Sequence, residues 1–172
     1  MESLPIPLSG RTLVTGPSNV GKTRLTARAL DAWVTERGTD GRLLGGRLTR
    51  FVDVPDGVRY EAIEAQAPRA AGETEAETLA FAAENARRSR RIVESAPERP
   101  RAVFVNDATI PFQAGDAVEF DASTLLDYCK DAAVVVCNAF ESDELGVDGP
   151  VSRNERAALD DLRVWADRVV TP

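Results

Sequence analysis

The sequence predicts an α/β protein in which strands and helices alternate, and three observations carry that prediction. A short β-prone run, Thr12 to Thr15, enters a glycine-bounded loop and leaves it as a helical pattern. Two uniformly apolar runs, Ala102 to Val105 and Ala132 to Cys137, have the length and β-branched content of strands buried on both faces. Amphipathic helical patterns lie between and after these runs.

Residues 1–10 contain Pro5, Pro7 and Gly10 and read as an extended lead-in to a strand over 11–15. A helix is expected from Lys22 to Arg37, because Leu25, Ala29 and Trp33 recur at i, i+4 and i+8 with Leu30 and Val34 beside them. Gly38 is its expected C-terminal cap. The glycine-rich stretch from Gly38 to Gly46 offers no clear apolar run. Leu48 to Val54 and Val58 to Gln66 flank the turn signal Pro55-Asp56-Gly57, which predicts a β-hairpin insertion around 48–66. Such an insertion either covers the sheet edge or contacts a base or acceptor, and edge cover is the favoured reading.

Thr74-Glu75-Ala76-Glu77 is a capping box opening a helix over about 75–95, with Leu79, Ala83, Ala86 and Val93 facing inward. Arg87, Arg88, Arg90 and Arg91 in its second half read as a solvated face, favoured by the helix dipole. Pro97 and Pro100 end it, and the strand over 102–105 follows, ending in Asn106-Asp107. From Ala108 to Glu119 no periodicity is visible. A short helix over 123–130 precedes the strand over 132–137, which ends in Asn138. Ala139 to Pro150 is acidic and glycine-containing, and is expected to be a mobile loop. Ser152-Arg153-Asn154-Glu155 matches a second capping box, followed by a helix with Leu159, Leu162 and Trp165 on one face and a last strand over 168–171.

At 172 residues and 43% hydrophobic, the chain has the size of one domain, 1–172, with a sizeable core. Its net charge of −7 supplies no basic field, so nucleic acid and anionic membrane are disfavoured as partners. The absence of histidine excludes a Cys/His zinc site, and Cys129 and Cys137 read as two reduced, apolar-type cysteines. No apolar run has the length of a membrane span and no signal-peptide pattern opens the chain, so a soluble, cytoplasmic protein is expected.

The chemistry-bearing stretch is Gly16-Pro17-Ser18-Asn19-Val20-Gly21-Lys22-Thr23, a complete G-x-x-x-x-G-K-[ST] loop between a strand and a helix. This composition would produce that pattern by chance roughly 0.001 times per chain. Glycines at both ends let backbone N–H groups turn inward at a helix N-terminus, where phosphate is favoured. Lys22 then reaches the β- and γ-phosphates and the Thr23 hydroxyl ligates Mg²⁺; Arg24, next in the chain, is grouped with the loop. The chain has only two lysines, Lys22 and Lys130, so an arginine-using sequence keeps lysine where this loop requires it. Asp107, just beyond a buried strand, has the position of a carboxylate that holds Mg²⁺. Asn138 also ends a strand and is placed near the nucleotide, while Thr109 and Gln113 are candidates for orienting a water.

With the loop 16–23, the strand before it and Asp107, the chain resembles the P-loop NTPase superfamily. The resemblance implies a three-layer α/β/α sandwich with a mainly parallel five-stranded sheet, nucleotide at its carboxyl edge, and Mg²⁺ between Thr23 and the phosphates. The layout is loosely similar to small archaeal and bacterial nucleoside-triphosphatases and to nucleotide-kinase-like proteins. Ala108 stands where many hydrolytic members carry a glutamate. The residues after Asp107 lack the glycine of a D-x-x-G switch, and Asn138-Ala139-Phe140-Glu141 lacks the lysine and aspartate of N-K-x-D guanine recognition.

The leading expectation is therefore Mg²⁺-dependent binding and hydrolysis of ATP or GTP, with Lys22 and Asp107 as catalytic residues and Thr23 and Asp107 as metal ligands. The runner-up is a small-molecule phosphotransferase in which the 139–153 segment closes and Arg153 or Arg156 steadies the transferring group. A third is a nucleotide-responsive switch with little turnover, for which a protein partner or a second copy remains open.

Overall fold

The computed structural model describes residues 3–38, 41–45, 54–96 and 99–172, with backbone alone for 41–45. The chain runs β1 (Gly10–Gly16), α1 (Lys22–Arg37), β2 (Gly41–Gly45), β3 (Arg59–Ala62), α2 (Pro68–Ala71) and α3 (Glu75–Ser95). It continues through β4 (Ala102–Asn106), two 3₁₀ turns at Ile110–Phe112 and Gly115–Ala117, α4 (Ala122–Cys129), β5 (Val134–Phe140), α5 (Pro150–Trp165) and β6 (Arg168–Val170).

The six strands form one sheet in the order β3-β2-β4-β5-β1-β6, and every pairing is parallel. Side chains alternate across it, as the two-residue period of a strand requires. Val14, Ala102, Phe104, Val134 and Val136 pack against Leu25, Ala29, Leu30 and Trp33 of α1. Leu13, Val103, Val105, Val135 and Cys137 face the opposite way, against α3, α4 and α5. Helices thus cover both faces, which makes three layers. This explains why the strand sequences read as continuous apolar runs rather than alternating ones.

Two expectations need correction. Among the described residues the sheet has six strands rather than five, because Gly41–Gly45 inserts as β2 beside β4. Its glycines hid it: they dilute the apolar signal that marks a strand. Of the expected hairpin, the turn is present, with Gly57 at φ 86° and Val58 N–H bonded to the Pro55 carbonyl at 3.3 Å. The strand after it, β3, pairs in parallel with β2. Residues 48–53 of the first expected arm, 48–54, lie outside the described residues. Second, α5 starts at Pro150, after Gly149, so Ser152-Arg153-Asn154-Glu155 lies inside the helix and caps nothing. Proline at the first helical position already suits that start.

The other boundaries agree within a few residues, and Thr74 caps α3 by accepting a hydrogen bond from Glu77 N–H at 3.1 Å. Cys129 and Cys137 are free and buried. Burial pushes both thiols up, Cys137 to about 12, so both stay protonated at neutral pH. Neither should react with dithiobis(nitrobenzoate) at pH 8 in the native protein, and both should react in denaturant. Rapid native labelling would contradict the packing of β5 against α4. No helix among the described residues is long and apolar enough to cross a membrane.

Candidate functional site

The topology itself marks a crevice. β1 and β5 are sheet neighbours, but the chain leaving β1 forms α1 on one face and the chain leaving β5 forms α5 on the other. Divergence at the carboxyl ends of adjacent parallel strands opens a ligand-sized gap. A cleft of about 730 Å³ lies there, lined by Ser18, Asn19 and Gly21 to Arg24 on one side and by Arg69, Asp107, Thr109 and Gln113 on the other.

The 16–23 loop carries β1 into α1. Gly21 has φ 97°, a left-handed conformation that side-chain-bearing residues rarely adopt, and its carbonyl accepts the Leu25 N–H at 2.9 Å. A Cβ on Gly16 would stand 3.0 Å from a Val20 methyl carbon, so the turn closes most readily over glycine. The first turn of a helix has no intrahelical acceptors for its N–H groups, and these are directed at the cleft end of α1. Pro17, Ser18, Asn19 and Val20 are exposed, whereas Lys22 is only 8% exposed and donates from Nζ to the Pro17 carbonyl. The lysine is thus held within the loop rather than extended into solvent.

Beneath the loop lies a buried amide network. Thr23 Oγ1 donates to Asn106 Oδ1 at 3.0 Å. Asn138 Nδ2 donates to the same oxygen at 2.8 Å and to Thr26 Oγ1 at 2.9 Å. Asn138 Oδ1 accepts the Asp107 N–H at 2.8 Å, and its carbonyl accepts the Ala108 N–H at 2.8 Å. One asparagine therefore ties α1, β4 and the post-β4 turn together. Asn106 and Asn138 are both fully buried. Hence Asn138, expected near the nucleotide, sits under the cleft rather than in its wall, and acts by holding other residues.

Asp107 lines the cleft in a left-handed backbone conformation, φ 55°. A non-glycine residue in that region is uncommon and persists where surrounding bonds fix it, here those from Asn138. The direct side-chain partner of Thr23 is Asn106, with Asp107 one residue further along. Sequence position alone does not distinguish these two neighbours.

The opposite wall was not anticipated. Glu155, 5% exposed on α5, accepts Arg69 Nη1 at 2.9 Å, Gln113 Nε2 at 2.7 Å and Thr109 Oγ1 at 3.3 Å. Arg69 also donates to Ser152 Oγ at 3.0 Å and lies over the Phe140 ring, 5.6 Å from its centre. Asn154 Nδ2 donates to the Gln113 carbonyl at 2.9 Å. The residues that mimic a capping box thus face the cleft wall, and Thr109 and Gln113 belong to this cluster. A charged residue that stays buried needs such partners. The sequence signal was a glutamate and a serine placed one helical turn apart, i and i+3, on the face of α5 that carries Val151 and Leu159.

The acidic segment after β5 closes the front. Glu141 N–H extends the β5 to β1 pairing by donating to the Gly16 carbonyl at 2.9 Å, and the Glu141 carboxylate pairs with Arg163. Asp143 pairs with Arg156 at 3.0 Å. The two arginines on α5 thereby tether the loop, so Arg156 serves the 141–148 segment rather than the cleft floor. Arg153 donates to the Asp148 carbonyl.

Comparison with protein-family models and with curated proteins finds no match.

Proposed function

We propose that this protein binds ATP or GTP with Mg²⁺ through Gly16 to Thr23 and transfers the terminal phosphoryl group to water. The observation that carries the reading is the convergence, at the carboxyl edge of a parallel sheet, of a glycine-closed helix start, Lys22, Thr23 and Asp107 in one cleft. Inward N–H groups and the helix dipole would bind the phosphate chain, and Lys22 would place a cation against its terminal groups.

The oxygen donors suit magnesium. The Thr23 hydroxyl and the Asp107 carboxylate, both lining the cleft, are hard ligands, and Mg²⁺ beside phosphates commonly takes only one or two protein groups plus water. When bound, the ion would neutralise charge on the phosphate oxygens. Asn138 would keep Asp107 and Thr23 at fixed separation from the loop, which is the preorganisation that electrostatic stabilisation needs.

The deciding experiment is titration calorimetry with ATP and GTP, with and without Mg²⁺, paired with phosphate release. Tight, Mg²⁺-dependent binding with steady release supports the reading, and the absence of binding to either nucleotide refutes it. Asp107→Asn should lower affinity about 10-fold or more with Mg²⁺ present and much less without it. Equal losses in both conditions would remove Asp107 from the metal site.

A phosphotransferase reading draws support from one feature, the extension of the cleft past Asp107 to Arg69, Ile110, Gln113 and Phe140. Nucleoside diphosphate formation that depends on an added hydroxyl compound would favour it over hydrolysis.

A further inference from the structure

The Glu144 carboxylate accepts the backbone N–H of Ser18 at 2.8 Å. A side-chain anion therefore sits on an amide of the same loop that is read above as an anion cradle. We propose that the turn Asp143 to Gly146 is an autoinhibitory latch, in which Glu144 occupies the mouth of the 16–23 loop and phosphate must displace it.

The contact is built rather than casual. Gly146 N–H donates to the Asp143 carbonyl at 2.9 Å, with Gly146 at φ 90°, so Asp143 to Gly146 is a tight turn with Glu144 and Leu145 at its tip. Glu144 N–H donates to Ser142 Oγ at 3.1 Å, which sets the direction of the tip. The N-terminal flank is fastened to α5 at two points, through Glu141 with Arg163 and Asp143 with Arg156. Leu145 lines the cleft beside Ser18 and Asn19 while remaining 48% exposed.

The electrostatics agree. The Ser18 amide holds the Glu144 carboxyl below its usual range, and the charge of Lys22 adds to the effect. The carboxylate is therefore stabilised as an anion by the groups that would otherwise stabilise phosphate. Two anions cannot share one small cradle without strong repulsion, so ligand and latch exclude each other. Glu144 is exposed and its carboxylate is held on the loop by Ser18 alone, so release is cheap. The tethers to α5 keep the turn close enough to return. The segment's acidity, which suits a phosphate-covering lid poorly, is what a competing anion requires.

This inference rests on the phosphate-binding reading of the loop. The test is titration of the full chain with inorganic tripolyphosphate and with Mg²⁺-ATP, comparing wild type, Glu144→Ala, Glu144→Gln and Asp148→Asn. Removing a charge-assisted hydrogen bond that competes with the ligand should tighten binding about fivefold or more in Glu144→Ala. Glu144→Gln, which keeps an acceptor and loses the charge, should fall between Ala and wild type. Asp148→Asn removes one negative charge from the same loop without touching Ser18, and should shift affinity less than about twofold. Unchanged or weaker binding in Glu144→Ala overturns the latch, as does an equal gain in Asp148→Asn. If no variant binds either probe, the phosphate-binding reading itself falls, and the latch with it. Glu144 is exposed, so the Ala variant should fold, and its thermal midpoint checks that.

Discussion

Lys22→Ala is expected to reduce affinity for ATP or GTP by about 100-fold or more while leaving the protein folded. Charge-assisted hydrogen bonds are worth about 1.5–3 kcal/mol each, and a lysine bridging two phosphates contributes more than one. The residue is 8% exposed, so its side chain also fills space in the loop. One acceptor of its ammonium is a backbone carbonyl, that of Pro17, which can turn to water once the ammonium is gone. The stability cost should therefore be about 1 kcal/mol or less, seen in urea unfolding. Lys22→Met, which keeps most of the stem, separates the two contributions: it should restore stability without restoring affinity. Calorimetry showing wild-type affinity in either variant would end the phosphate-loop reading.

The largest effect on stability is expected for Glu155→Ala. The substitution removes the acceptor of three donors at once and leaves Arg69, whose side chain is 17% exposed, without its carboxylate. Breaking a buried pair from one side costs about 3–5 kcal/mol, because the remaining charge stays desolvated. Arg69 keeps Ser152 as an acceptor and some contact with water, which points to the lower end, about 3 kcal/mol. For a chain of this size that corresponds to a fall in thermal midpoint of roughly 6–12 °C. Glu155→Gln, which retains one acceptor oxygen for Thr109 or Gln113, should lose less. If Glu155→Ala unfolds within about 1 kcal/mol of wild type, the cluster is not the strut that its burial implies. A double-mutant cycle with Arg69→Ala would give the coupling between the two charges directly.

The loop, its helix and the strand ending in Asp107 were legible because each is written in consecutive residues. A glycine needed at φ 97°, a lysine held within five residues of its partner and an apolar run buried on both faces are local requirements. Local requirements leave local patterns. The same holds for α3, where Thr74 and Glu77 form the cap their spacing predicts. β2 escaped because glycine removes the side chains that signal a strand. It is recognisable only by the backbone partners it finds in β3 and β4.

The remaining site residues were assembled from distant parts of the chain. Ser152 and Glu155 carry a capping signature, and only the position of Pro150 and the approach of Arg69 from α2 reveal what they bond. Asn138 was visible at a strand end, yet its role under the cleft depends on Asn106 and Thr26, which reach it from β4 and α1. Glu144 looked like one acid among several in a loop, and the crossing of β5 beside β1 is what delivers it to Ser18. By itself, then, the sequence determined the α/β class, the glycine-bounded loop after the first strand and the helix that follows it. Tertiary structure alone decided the sixth strand, the parallel partner of β3, the Glu155 wall and the Glu144 contact. Spacing along the chain encodes backbone conformation, whereas hydrogen bonds between residues far apart in sequence, from Ser18 to Glu144 and from Arg69 to Glu155, exist only after the sheet has set which strands are neighbours.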